Sequence, residues 1–249
     1  MMILDGKKVS ARIKAEAAKE VEALKEKGIK PCLAVVLVGN DPASKVYVRN
    51  KKRACEEVGI ISSEYVLPEE TTQEQLEELI DTLNESENTD GILVQLPLPK
   101  HLDEKAVINK ISVNKDVDAF HPVNVGKIMI GDYDFLPCTP AGVMELIKES
   151  GIDVAGKHCV VVGRSNIVGK PQAMLLLHQN GTVTVCHSKT ANLKEECLRA
   201  DIIVAAVGKE NIITADMVKP GAVVIDVGMN RNAEGKLCGD VDFENVKEI

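Results

Sequence analysis

The run Gly163-Arg164-Ser165-Asn166-Ile167-Val168-Gly169 follows an apolar stretch and precedes a helical one. Glycine in such a loop lets the backbone turn tightly and approach a phosphate, and the helix that follows offers unpaired N–H groups to the anion. The chemistry indicated is dinucleotide binding, with Gly163, Arg164, Ser165, Ile167 and Gly169 as candidate contacts. The pattern departs from G-x-G-x-x-G, because serine replaces the second glycine and the last glycine falls one position late. Its setting, between a strand and a helix and ahead of three further strands, gives it weight. A second signal is an absence. Sites for NAD place Asp or Glu at the end of the next strand, on the ribose 2′-hydroxyl. Here that strand ends at Cys186 and is followed by His187-Ser188-Lys189-Thr190, with no acid. Ser188 and Lys189 would tolerate a 2′-phosphate, and Arg164 could reach it as a fork of donors, so NADP is expected over NAD.

The first half of the chain holds four more candidates. Tyr47 and Lys51 are four apart and share one face of a helix. Gln95 stands at the carboxyl end of an expected central strand, where open α/β sheets bind ligands. Asp118 lies in Lys115-Asp116-Val117-Asp118-Ala119-Phe120-His121-Pro122, a stretch too polar and irregular for core. Each also has an ordinary reading: a ring edge beside a snorkelling lysine, an edge glutamine satisfied by backbone, a turn aspartate.

The elements that must position these residues alternate. Val9, Ile13, Ala17, Val21 and Leu24 recur at helical spacing, and Gly28 is placed to end that helix. Cys32 to Val38 is a continuous apolar run, as a buried parallel strand should be. A helix is expected from about Ser44 to Val58, a strand from Ser63 to Leu67, a helix capped by Thr72, and a strand from Gly91 to Leu96. Thr139-Pro140 reads as an N-cap with proline at the first helical position. His158 to Val162, Thr182 to Cys186, Asp201 to Val207 and Ala222 to Val227 are expected strands of a second βα series. The fold class is therefore α/β in two domains, an N-terminal α/β domain with a mostly parallel sheet and a C-terminal Rossmann-like dinucleotide-binding domain, with a cleft between them. The boundary is placed at residues 1–138 and 139–249.

Composition narrows the classes. The 249 residues are 45% hydrophobic and 27% charged, an ordinary globular balance. No apolar stretch approaches the ~20 residues of a membrane span, and the N-terminus lacks a secretory pattern. The formal net charge of -8 has the wrong sign for a nucleic-acid surface. One basic run, Lys45, Arg49, Lys51, Lys52 and Arg53, reads as a solvated helix face. Seven scattered cysteines without a Cys-x-x-Cys pair fit reduced thiols in a cytoplasmic setting, with no metal site and no chemistry assigned.

Several strings resemble one family in wording and order, over the whole chain: Val38-Gly39-Asn40-Asp41-Pro42-Ala43-Ser44 leading to Tyr47 and Lys51, Gly91-Ile92-Leu93-Val94-Gln95-Leu96-Pro97-Leu98-Pro99, Lys115-Asp116-Val117-Asp118, Pro137-Cys138-Thr139-Pro140, the Gly163 loop, His187-Ser188-Lys189-Thr190 and Asp226-Val227-Gly228. The family is the bifunctional methylenetetrahydrofolate dehydrogenase/methenyltetrahydrofolate cyclohydrolases. The resemblance implies a folate substrate, NADP as cofactor and a homodimer. It makes Lys51 the catalytic lysine of both activities, Tyr47 the tyrosine lining the folate pocket, Gln95 the partner of the lysine, Asp118 the anchor of the pterin ring and Ser44 a further contact beside the lysine. It adds Thr190, Gly208, Asp226 and Gly228 to the cofactor set. Proton transfer by a lysine needs a pKa brought toward neutrality, and Lys45, Arg49, Lys52 and Arg53 are expected to supply the cationic part.

Two departures accompany the match. Ala119 stands where the family usually has glycine. A Pro-Gly-Gly-Val-Gly-Pro-Met-Thr segment and a helix returning to the first domain, which follow Gly239-Asp240-Val241 in the family, are not in the sequence given. A monofunctional dehydrogenase, or a cofactor- or folate-binding form without turnover, stays open on that account.

Overall fold

The computed structural model describes residues 2–249; Met1 lies outside the described residues. Two compact units result, one of Ser10–Gly126 and one of Lys127–Ile249 joined by the N-terminal residues through Val9. The sequence reading places the boundary twelve residues later. The difference has a local cause: the ring of His178 meets the Ile128 carbonyl at 2.7 Å and lies beside Tyr133, which ties residues 127–138 to the second unit.

Helix α1 (Gly6–Glu26) buries Val9 and Val21, while Ile13 on the same stripe is 37% exposed. Gly28, with φ 80°, takes the left-handed conformation that closes it. In the Ser10–Gly126 unit, β1 (Cys32–Val38), β2 (Ile61–Leu67) and β3 (Gly91–Val94) form a parallel sheet in the order β2-β1-β3. Alternation along β1 sorts its side chains. Ala34, Val36 and Val38 join Leu76, Ile80 and Leu83 of α3 (Gln73–Glu85), whereas Val35 and Leu37 join Val48 of α2 (Pro42–Val58). Thr72 opens α3 with a reciprocal capping box, its hydroxyl accepting from the Gln75 amide and its own amide donating to the Gln75 side chain. α4 (Glu104–Lys110) adds Val107 to the α3 core, and α5 (Pro122–Ile130) follows. Strand β3 stops two residues before the expected end. Gln95 still donates its amide to the Val36 carbonyl, and the chain then leaves the sheet at the cis Leu96–Pro97 bond.

The second unit begins with α6 (Cys138–Glu149). Its N-cap is Pro137, without a side-chain cap, and not Thr139 as the sequence suggests. Pro140 falls in the first turn, where an absent N–H leaves nothing unpaired. Strands β4 (His158–Val162), β5 (Thr182–Cys186), β6 (Ile202–Ala205) and β7 (Val223–Asp226) are parallel, in the order β5-β4-β6-β7. α7 (Gly169–His178) and α6 pack on Cys159, Val161, Ile202 and Val204. α8 (Leu193–Arg199) packs on the other face with Val160, Val162 and Ile203. A hairpin of β8 (Asn230–Arg231) and β9 (Leu237–Cys238), then α9 (Phe243–Val246), complete the unit. Because β4 pairs with β5 on one side and β6 on the other, the strand order reverses between β4 and β6, the switch point where such sheets bind ligands. No helix among the described residues is long and apolar enough to cross a membrane.

Candidate active site

Helix α2 is set in place by Asp41, whose carboxylate accepts the Ser44 amide at 2.7 Å and is also bonded to the Ser44 hydroxyl. These bonds hold the Asp41 carboxyl below its ordinary value of 3.8. Ser44 is 2% exposed, and its polar atoms serve this cap, which is a different task from the lysine contact expected of it. Three and seven residues further on, α2 presents Tyr47 and Lys51. Lys51 Nζ donates to Gln95 Oε1 at 3.2 Å. Gln95 Nε2 donates to the Leu96 carbonyl at 2.7 Å, so the side-chain amide can turn only its oxygen toward the lysine. Tyr47 is 40% exposed.

Two of the surrounding cations have partners of their own. Lys45 donates to Asn40 at 2.9 Å and Lys52 pairs with Glu64 at 3.2 Å.

Asp118 is carried by a tightly determined loop. Asp116 pairs with Ile92 of β3 in parallel sense, so the chain leaves Asp116 toward the carboxyl end of that strand, where Gln95 stands. The buried Asp116 carboxylate accepts the His121 amide and the Asn124 side chain, each at 2.8 Å, and the Phe120 amide at 3.3 Å. Val117 packs so closely over Gly91 that any side chain there would strike it. Ala119 is fully buried with φ 53°, the left-handed region that glycine adopts freely and alanine only at a cost of about 1–2 kcal/mol. Asp116 was absent from the expected site. The spacing Asp-x-Asp offered no way to tell which carboxylate faces the backbone.

In the second unit the Gly163 loop has the form a dinucleotide needs. Gly163 has φ 135°, and a Cβ on it would run into the Ala206 carbonyl; a Cβ on Gly169 would run into the carbonyl of Gly163. The strand end and helix start thus meet backbone to backbone. Ser165, at the place of the second glycine, accepts the Val168 and Gly169 amides at 3.1 and 3.2 Å, just ahead of α7. Arg164 and Ile167 are exposed at the loop surface. Beyond β5, Ser188 and Lys189 are exposed while Thr190 folds back, its hydroxyl accepting the His187 amide at 2.9 Å. Gly208 has φ 68° in the loop after β6. Asp226, expected among the cofactor contacts, is engaged internally, its carboxylate accepting the amides of Gly228, Asp240 and Val241 at 2.8–3.0 Å. Burial pushes the Cys159 thiol up to about 11 and the Cys197 thiol up to about 12, as core residues rather than nucleophiles. Among the described residues no cluster of His, Cys, Asp and Glu could hold a metal.

A sheet with a phosphate-compatible glycine loop at its switch point, in a chain that also holds a helix lysine hydrogen-bonded to a glutamine at a strand end, defines a dinucleotide-dependent α/β enzyme. Comparison with known proteins narrows the class. Residues 4–118 match the catalytic domain of tetrahydrofolate dehydrogenase/cyclohydrolase, and residues 137–249 match its NAD(P)-binding domain. The bifunctional protein FolD of Acetivibrio thermocellus is 66% identical over 247 residues, which are 99% of this chain and 87% of the relative. The solved structure of FolD from Campylobacter jejuni superposes with a TM-score of 0.97 at 51% identity, covering 100% of this chain and 88% of that one. The Trypanosoma brucei enzyme, solved with NADP and an inhibitor, gives 0.93 at 38% identity, covering 98% and 86%. The chain belongs to the tetrahydrofolate dehydrogenase/cyclohydrolase family.

Proposed function

We propose that this chain oxidises 5,10-methylenetetrahydrofolate to 5,10-methenyltetrahydrofolate with NADP and hydrolyses the methenyl form to 10-formyltetrahydrofolate, with Lys51 moving the protons of the second reaction. The observation that carries this reading is the Lys51–Gln95 hydrogen bond in a chain of this family. Bound NADP supplies the hydride acceptor. Gly163 and Gly169 bring the end of β4 and the start of α7 together backbone to backbone, which suits a pyrophosphate at the helix N-terminus, and Arg164 and Lys189, with no carboxylate after Cys186, suit the 2′-phosphate. The NADP held by the trypanosomal relative supports that choice.

Asp118 anchors the pterin through N–H donors of the ring, and Tyr47 lines the same site. Holding the reacting carbon in place in this way is an entropic contribution to the rate. In the hydrolysis, water oxygen bonds to the methenyl carbon and gives one proton to the Lys51 amine. The bond from that carbon to N5 then breaks, N5 takes the electron pair and a proton from Lys51, and the remaining hydroxyl proton leaves to solvent as the formyl group forms. Gln95 keeps the lysine nitrogen at the place where both transfers occur. A homodimer in the cytoplasm completes the proposal, supported by the family likeness and by free cysteines throughout the described residues.

The test is Lys51→Met with methenyltetrahydrofolate as substrate. The loss of its absorbance should slow by at least about 100-fold, while NADP binding by calorimetry stays as in the wild type. Undiminished hydrolysis would rule the mechanism out.

A further inference from the structure

Asp240 is 0% exposed, lies in the stretch before α9 and has no part in the chemistry described above. Its carboxylate accepts the amides of Val207 at 2.7 Å, Gly208 at 3.1 Å and Lys209 at 2.8 Å, and the Asn230 side chain at 2.9 Å. Three successive amides converging on one anion form a backbone nest, the device that elsewhere grips phosphate. Here the chain's own carboxylate fills it. Asp226 locks the arrangement by accepting the Asp240 and Val241 amides, and Gly228 and Gly239 leave no room for a Cβ against the Asp240 and Asp226 carboxylates respectively.

The nest follows β6, on the opposite side of the switch point from β5. Its neighbour across the switch point is the Gly163 loop, since Ala206 is the residue that Gly163 abuts. A dinucleotide spans such a point, with its adenosine ribose toward the end of β5 and its other half toward β6. We infer that Asp240 is a positioning residue for the nicotinamide half of the cofactor. It shapes the Val207–Lys209 loop and consumes the amides that would otherwise attract phosphate, so the phosphates are left to the Gly163 loop and the β6 loop receives the uncharged nicotinamide riboside. The inference rests on the cofactor reading above.

The experiment titrates NADP and 2′,5′-ADP, which lacks the nicotinamide half, into wild type, Asp240→Asn and Asn230→Ala. In Asp240→Asn an amide NH2 faces a backbone N–H, and NADP affinity should fall about tenfold or more. Affinity for 2′,5′-ADP should stay within about twofold, a split that general loss of structure would not produce. Asn230→Ala, which removes one of the four donors, should show the same split at about threefold and decides the matter if Asp240→Asn does not fold. Equal weakening of both ligands, or unchanged NADP affinity in both variants, would overturn the positioning role. Failure of the wild type to bind 2′,5′-ADP would instead overturn the cofactor reading and the inference with it.

Discussion

Lys51 and Gln95 are 44 positions apart in sequence and 3.2 Å apart across the first unit, one on α2 and the other just beyond β3. The bond has a direction, because Gln95 has already given its NH2 to the Leu96 carbonyl. Gln95→Leu keeps the volume and removes the acceptor. Hydrolysis of methenyltetrahydrofolate should slow by roughly 10- to 100-fold, in line with a hydrogen bond to a charged group. The slowing should appear in kcat more than in KM. A change confined to KM would make Gln95 a substrate contact rather than the holder of Lys51.

We propose that Arg164, exposed in the Gly163 loop, sets the cofactor choice. Arg164→Ala should cost roughly 1.5–3 kcal/mol of NADP affinity, the range of a charge-assisted bond, with little effect on NAD. Calorimetric titration with both cofactors measures it. Equal losses would place Arg164 on the shared diphosphate instead of the 2′-phosphate.

Gly163 has a backbone conformation and a close neighbour that no other residue can match. Gly163→Ala should lower the free energy of unfolding by about 3 kcal/mol or more, from strain and collision together. Chemical denaturation reads this directly. A stable Gly163→Ala protein would mean that β4 and β6 do not end as described.

The Asp41 cap on the helix bearing Tyr47 and Lys51 carries a pH signature. Its folded carboxyl titrates below the ordinary 3.8, so the cap contributes fully above that value and is lost as the pH falls through the folded pKa. Asp41→Asn keeps an acceptor oxygen without a titrating charge. The wild type should therefore have the higher thermal midpoint near pH 7, and its advantage should shrink as the pH falls below 3.8 and vanish once it is below the folded pKa. A difference independent of pH would remove the charge from the explanation.

Much of this was legible from residue order alone. The apolar, valine-rich run Cys32 to Val38 read as a buried parallel strand, and it is β1. Gly163 and Gly169 were legible as places where only glycine fits, and the neighbours that require it are the carbonyls of Ala206 and of Gly163 itself. What stayed hidden were residues whose partners are backbone amides delivered by distant segments. Asp240 draws on residues 31–33 positions away, and no local spacing encodes that. Asp226 was placed among the cofactor contacts by the family resemblance, and its oxygens are occupied within the chain. The only sign was an aspartate beside glycine, at Asp226-x-Gly228 and Gly239-Asp240, a common turn signal. Ala119, which stands where the family usually has glycine, adopts a positive φ.

The central claim is that one chain performs both reactions. The measurement is a single reaction of purified chain with methylenetetrahydrofolate and NADP, following reduced nicotinamide and the methenyl absorbance together. The account predicts NADPH formation without lasting methenyl accumulation, and methenyl accumulation alongside NADPH wherever Lys51→Met still supports oxidation. Wild-type chain that builds up methenyl product in step with NADPH, or reduces no nicotinamide at all, would contradict it.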